Sequence, residues 1–309
     1  MQRALQPVRE SAMAECFPFR RNWLAASVAA GALGFSALAG LALAADEPAP
    51  RLASGVPDFS SNNMGWASDG IEFFPVPGEK FVPITSDPAH PYCGNRILPK
   101  CGNQNLPPIG DTANPILQPW AAAEMKRTNA AILGGKEAFE AMGRCWPGGV
   151  PGMMLFTAEP AYFLQTPKEV TILYSRGPNI RHVYMNVPHS KNPAPSWLGE
   201  SVGHYEGDEL VIDTIGLNDK TFIDFYHTPH TTQLHVVERY KLINGGKRMQ
   251  GIATIEDPGA FTTKWSALHY YIKHDLPIAD SESICAENND ANYFNADQAP
   301  IPQTKTPDF

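Results

Sequence analysis

The sequence predicts a mainly β protein in which an antiparallel meander closes into a small barrel, preceded by an irregular N-terminal arm and a short helical segment. Three observations carry that reading. Strand-like runs follow one another at 162–166, 170–175, 180–186, 201–206, 209–214, 234–243, 248–256 and 264–273, each bounded by Gly, Pro, Asn or Asp. The junctions Glu206-Gly207-Asp208-Glu209 and Asn244-Gly245-Gly246-Lys247 supply tight turns with residues that tolerate positive φ, which makes their flanking strands antiparallel. That many strands in one short stretch curl and close rather than lie flat.

In chain order, residues 1–44 read as a secretory signal peptide. Arg20-Arg21 precede an apolar Ala/Gly/Leu run that ends in the A-x-A pattern Ala42-Leu43-Ala44. The adjacent arginines also admit twin-arginine export. Without the signal, 20 basic and 30 acidic side chains remain, a net of −10. That charge argues against nucleic acid and anionic membrane surfaces as partners, and no stable membrane insertion is expected after signal cleavage. Of the five cysteines, Cys16 leaves with the signal. Cys93, Cys101, Cys145 and Cys285 remain, an even number that in an exported chain reads as two disulfides, Cys93–Cys101 locally and Cys145–Cys285 at long range.

Residues 45–118 form a Pro/Gly-rich arm. Phe59, Trp66, Phe73, Phe74, Phe81 and Tyr92 favour wrapping a domain over disorder, since disordered segments are poor in aromatics. Residues 119–152 hold a helical pattern, with Met125, Ile132, Phe139 and Met142 near 3.6 spacing and a split at Gly134-Gly135, and then a Gly/Pro loop. The barrel domain spans 153–276 and a C-terminal tail 277–309. A lipocalin-like barrel of this size either fills its interior with side chains or holds one small ligand.

Alternation of the pleat sorts the polar residues. Leu234, Val236, Glu238, Tyr240 and Leu242 share a face, so Glu238 points into the core, while Arg181 sits among the apolar residues of its own strand. The two read either as a buried ion pair or as part of a proton-transfer site. Asp213 falls on an ambiguous face. His227, His230 and His235 cluster around the loop that leads to Glu238. The odd separation of His235 and Glu238 sets them on opposite faces, which weakens a divalent-metal site and leaves His230 and His235 as its only candidates; no organic cofactor is implied. Trp265, His269 and Tyr271 share a face suited to an aromatic ligand. H-E-x-x-H, G-x-G-x-x-G and P-loop patterns are absent from the sequence, and no strand-to-helix elbow carries G-x-S-x-G, which argues against zincin, dinucleotide-binding, nucleotide-hydrolysing and elbow-type hydrolase classes.

These features lead to the expectation of a periplasmic or secreted acid–base enzyme, a lyase, isomerase or hydrolase. It acts on a small apolar or aromatic molecule in the barrel mouth. Glu238 and His230 transfer protons, Arg181 and Asp213 orient or neutralise charge, and Tyr205, Trp265, His269 and Tyr184 line the pocket. The alternatives are a non-catalytic periplasmic carrier of an apolar ligand, with an apolar cavity, and a structural envelope protein, with a filled barrel.

The runs GHYEGDELVIDTIGLNDKT (203–221), PHTTQLHVVERY (229–240) and TIEDPGAFTTKW (254–265) resemble a large family of secreted bacterial β-rich proteins of no general known activity. Its members show G-x-W-E-G-D-T-L-V-V-x-T-x-G-F, then P-H-S-x-x-L-H-V-x-E-R, then E-D-P…W; here Tyr205 stands where Trp is usual. The resemblance implies export and the β meander, and carries no catalytic role to any residue.

Overall fold

A computed structural model describes residues 47–61, 65–69, 73–92, 108–136, 138, 140–155, 160–175 and 179–273. The strands of the meander fall within one residue of their sequence-derived bounds: β3 (Ala161–Gln165), β4 (Glu169–Tyr174), β5 (Asn179–Met185), β6 (Glu200–Glu206), β7 (Glu209–Ile215), β8 (His235–Ile243), β9 (Arg248–Glu256) and β10 (Trp265–Lys273). The arm adds β1 (Trp66–Ser68) and β2 (Phe74–Pro75). Both lie along one edge of β10, β1 against Tyr271, Ile272 and Lys273 and β2 against Ala267 and Leu268. β1 also pairs with β3 through Trp66 and Ala161, which closes nine strands into a barrel and leaves β2 outside the ring. Gly65 makes that closure sterically open: it has φ +74, and a Cβ there would sit 2.6 Å from the Ala161 carbonyl oxygen.

Every neighbouring pair in the ring is antiparallel except β5–β6, which is parallel. The meander is therefore interrupted once. A parallel pair needs a crossover connection, and residues 186–199 supply one, with Pro188, Pro193 and Pro195 keeping it out of the ladder.

Large side chains fill the barrel. Phe59 of the arm meets Phe163, Phe163 meets Tyr240, and Tyr240 meets Tyr271, with ring centroids 5.7, 5.5 and 6.5 Å apart. Trp66 and Trp265 are buried. Met154, in the short helix α2 (Gly152–Leu155), occupies the space left by Gly251, where a Cβ would lie 2.1 Å from its Cε; Tyr271 donates its hydroxyl proton to the Met154 carbonyl at 2.9 Å.

Helix α1 (Pro119–Leu133) starts with Pro at its first position, buries Ala121, Met125, Asn129 and Ile132, and stops at Gly134-Gly135. Residues 142–144 form a 3₁₀ turn, and Phe139 lies outside the described residues. Of Cys93, Cys101, Cys145 and Cys285, only Cys145 lies among the described residues. Among the described residues no helix is long and apolar enough to cross a membrane.

Candidate functional site

The pleat of β5 turns Arg181 inward, and that of β8 does the same for Glu238. Arg181 Nη2 donates to Glu238 Oε2 at 2.5 Å and to Thr214 Oγ1 at 2.8 Å, while its Nε donates to Ser201 Oγ at 3.0 Å. Tyr240 donates its hydroxyl proton to Glu238 Oε1 at 2.9 Å. The guanidinium and the carboxylate are 2 % and 0 % exposed. Burial works against the Arg181 charge, but Glu238 outweighs it and holds the group above the ordinary guanidinium value. Burial also pushes Tyr174 up to about 12 and Tyr240 and Tyr271 well above the usual phenol value, so these hydroxyls stay protonated. Each carboxylate oxygen has a donor. The pair is a neutral strut tying β5 to β8 across the interior.

Beside this strut the wall opens. β5 and β6 pair only through Val183–Ser201, Tyr184–Val202 and Met185–Gly203. Among the described residues the first half of β5 has no strand on that side, and the crossover passes beside the gap. The result is a groove of about 480 Å³. Arg181 and Ser201 reach it from the wall, Ile180, His182 and Tyr184 line it from β5, and Ser190, Leu198 and Glu200 line it from the crossover and the start of β6.

Two of these residues carry acid–base capacity. His182 Nδ1 lies 2.5 Å from Glu169 Oε1, which also accepts from Thr171 Oγ1 at 2.8 Å. The hydrogen bonds from His182 and Thr171 hold the Glu169 carboxyl below its usual value. An ionised Glu169 fixes the proton on Nδ1, which leaves Nε2 as the nitrogen able to accept one. On the other side Glu200 accepts from Ser190 Oγ at 2.6 Å and Ser190 N at 2.7 Å, bonds that keep its carboxyl low as well. Behind it, His189 joins two carboxylates, Nδ1 to Glu200 Oε1 and Nε2 to Asp213 Oδ1, both at 3.0 Å. Ionised carboxylates only accept, so both bonds form when both ring nitrogens carry protons. His235 Nε2 meets the same Asp213 oxygen at 2.9 Å, extending the chain toward solvent.

The sequence-derived site residues do not assemble in one place. Arg181 and Tyr184 line the groove, and Glu238 backs Arg181. Asp213 is partly exposed on the outer face, opposite to Glu238. His230 is buried elsewhere: Thr221 Oγ1 donates to its Nε2 at 3.0 Å, and its Nδ1 donates to the Thr231 carbonyl at 3.1 Å. Burial pushes its pKa down. Trp265 packs in the core edge-on to Phe261, His269 is buried 2.5 Å from Ser68 Oγ, and the Tyr205 hydroxyl accepts from Gln165 Nε2 at 2.7 Å. None of these three lines the groove. His230 and His235 have separate partners, and among the described residues no group of three or more His, Cys, Asp and Glu is arranged to hold a metal ion. Sequence reasoning missed His182, Glu169, His189, Ser190 and Glu200 as site residues. For His182 a signal existed, the alternation that sets it on the outer face with Tyr184.

Comparison with family models, with curated proteins and with solved structures finds no match to this chain.

Proposed function

We propose that the protein is an acid–base enzyme that acts, without an organic cofactor, on a small and partly apolar molecule held in the groove at the β5–β6 seam. What carries the reading is one juxtaposition: a histidine oriented by a carboxylate lines a ligand-sized groove whose other wall presents Glu200 and Ser190. In this reading His182 exchanges the proton, Glu169 orients it, and Tyr184, Ile180 and Leu198 supply apolar surface. Glu238 and Arg181, expected from the sequence to work on the substrate, act instead as the support behind the groove. A carrier of an apolar ligand is less well supported, because Trp265, Tyr240 and Phe163 occupy the barrel interior. Export through the Ala42-Leu43-Ala44 signal, and with it a Cys145–Cys285 disulfide, belong to the same proposal.

Proton exchange tests this reading whatever the substrate is. Small aromatic and aliphatic molecules with acidic C–H groups are incubated with the protein in D₂O, and proton–deuterium exchange is followed by NMR. Exchange of a bound molecule that falls about a hundredfold or more in a folded His182→Gln variant supports the reading. Exchange that survives in His182→Gln, or binding that does not respond to Tyr184→Ala, sinks it.

A further inference from the structure

We infer that the groove selects a small organic cation, an ammonium group on an aromatic or aliphatic body, seated between the Tyr184 ring and the Glu200 carboxylate. The inference rests on the groove being the substrate site and adds the charge class of the substrate.

Arg181 is the only Lys or Arg among the described lining residues, and Glu238 cancels its charge from behind. On the groove wall, Glu200 has no Lys or Arg partner among the described residues, and the His189 ring beside it is shared with Asp213. Glu169 stands behind His182, so a second carboxylate faces the groove through the ring. Lys168 and Lys191 are exposed and do not line it. The summed field on a bound molecule is therefore negative, and an incoming carboxylate finds no unpaired cation among the described lining residues.

A cation, by contrast, has two places to bind. Glu200 Oε2 takes one hydrogen bond, from Ser190 Oγ, and a carboxylate oxygen accepts two, so one lone pair is left for an ammonium proton. The Tyr184 ring is half-exposed on the β5 side and offers its face to a positive charge. Ile180 and Leu198 cover the apolar body. Selection thus comes from attraction of the right charge together with repulsion of the wrong one.

The test uses three probes with one ring and three head groups: benzylamine, benzyl alcohol and benzoate. They are titrated by NMR into the full chain, into Glu200→Gln and into Tyr184→Ala, with the fold of each variant checked by its amide spectrum. We expect benzylamine to bind about tenfold or more tighter than benzoate at low salt, with shifts at Tyr184 and His182. The preference should shrink to roughly threefold or less at high salt or in Glu200→Gln, with benzyl alcohol unaffected by that change. Benzoate binding in the groove as tightly as benzylamine, or an amine preference untouched by Glu200→Gln, overturns the cation inference and leaves the groove reading standing. If none of the three probes shifts a groove residue, the groove reading fails, and this inference with it.

Discussion

Replacing Glu238 by Gln is the sharpest test of the strut. The substitution keeps the shape of the side chain but removes the charge that balances a guanidinium only 2 % exposed. It also replaces one of the two acceptor oxygens by a donor NH₂, so the side chain no longer accepts from Arg181 at one end and Tyr240 at the other. Loss of a hydrogen bond to a charged group costs about 1.5–3 kcal/mol, and breaking a buried pair from one side brings the total to about 3–5 kcal/mol. For a domain of this size that lowers Tm by roughly 6–20 °C. The double variant Arg181→Met/Glu238→Leu removes both charges, so it should recover most of the loss, since a buried ion pair and a packed apolar pair differ little in net stability. Urea unfolding of Arg181→Met, Glu238→Leu and the double variant gives the coupling energy. If Glu238→Gln unfolds within about 1 kcal/mol of the parent, or the double variant is as unstable as the two single losses added, the strut is not what holds β5 to β8.

Asp224 is fully buried and accepts from Thr228 Oγ1 at 2.8 Å and Tyr226 N at 2.9 Å, yet burial raises its pKa to about 6. An unfolded chain ionises this group near pH 4, so the folded state is disfavoured by the charge above about pH 6 and relieved of it below about pH 4. Stability from this group therefore falls as pH rises between those values, by about 3 kcal/mol at most. Asp224→Asn should gain Tm relative to the parent across that window, and a difference that does not change with pH refutes the assignment. Gly65→Ala should cost about 2–4 kcal/mol through a strained backbone and a clash with the Ala161 carbonyl. Hydrogen exchange should show the loss first in β1, and unchanged protection there would mean that β1 does not close the barrel.

The strands were legible because each is a half-buried surface with a period of two, and period two is written in the residues themselves. The same alternation aimed Glu238 and Arg181 inward, where they meet. The groove was not legible, because it depends on which strands pair and in which direction. Nothing in residues 186–199 distinguishes a long hairpin loop from a crossover, so Ser190 and Glu200 had no visible link to His182. His230 misled for a related reason. Its proximity in sequence to Glu238 suggested a shared site, but a new strand begins after it at His235, and its ring bonds Thr221 instead.

The count of strands explains why one seam of the ring is parallel. In a closed ring the strand directions must match again after one circuit, so the number of antiparallel neighbours has to be even. With nine strands, at least one pair must be parallel, and here it is β5–β6 alone. A two-residue turn cannot join parallel neighbours, so the chain must travel the length of the barrel outside the wall. It returns with Gly199 at φ +65, where a Cβ would sit 2.5 Å from the Ile215 carbonyl oxygen. That fixes the crossover against β7 rather than against the first half of β5. The β5 edge left without a partner is the one that carries His182 and backs onto Arg181. The arm strand β1 makes the count odd, so the segment that looks least ordered in sequence is what obliges one pair of the ring to run parallel.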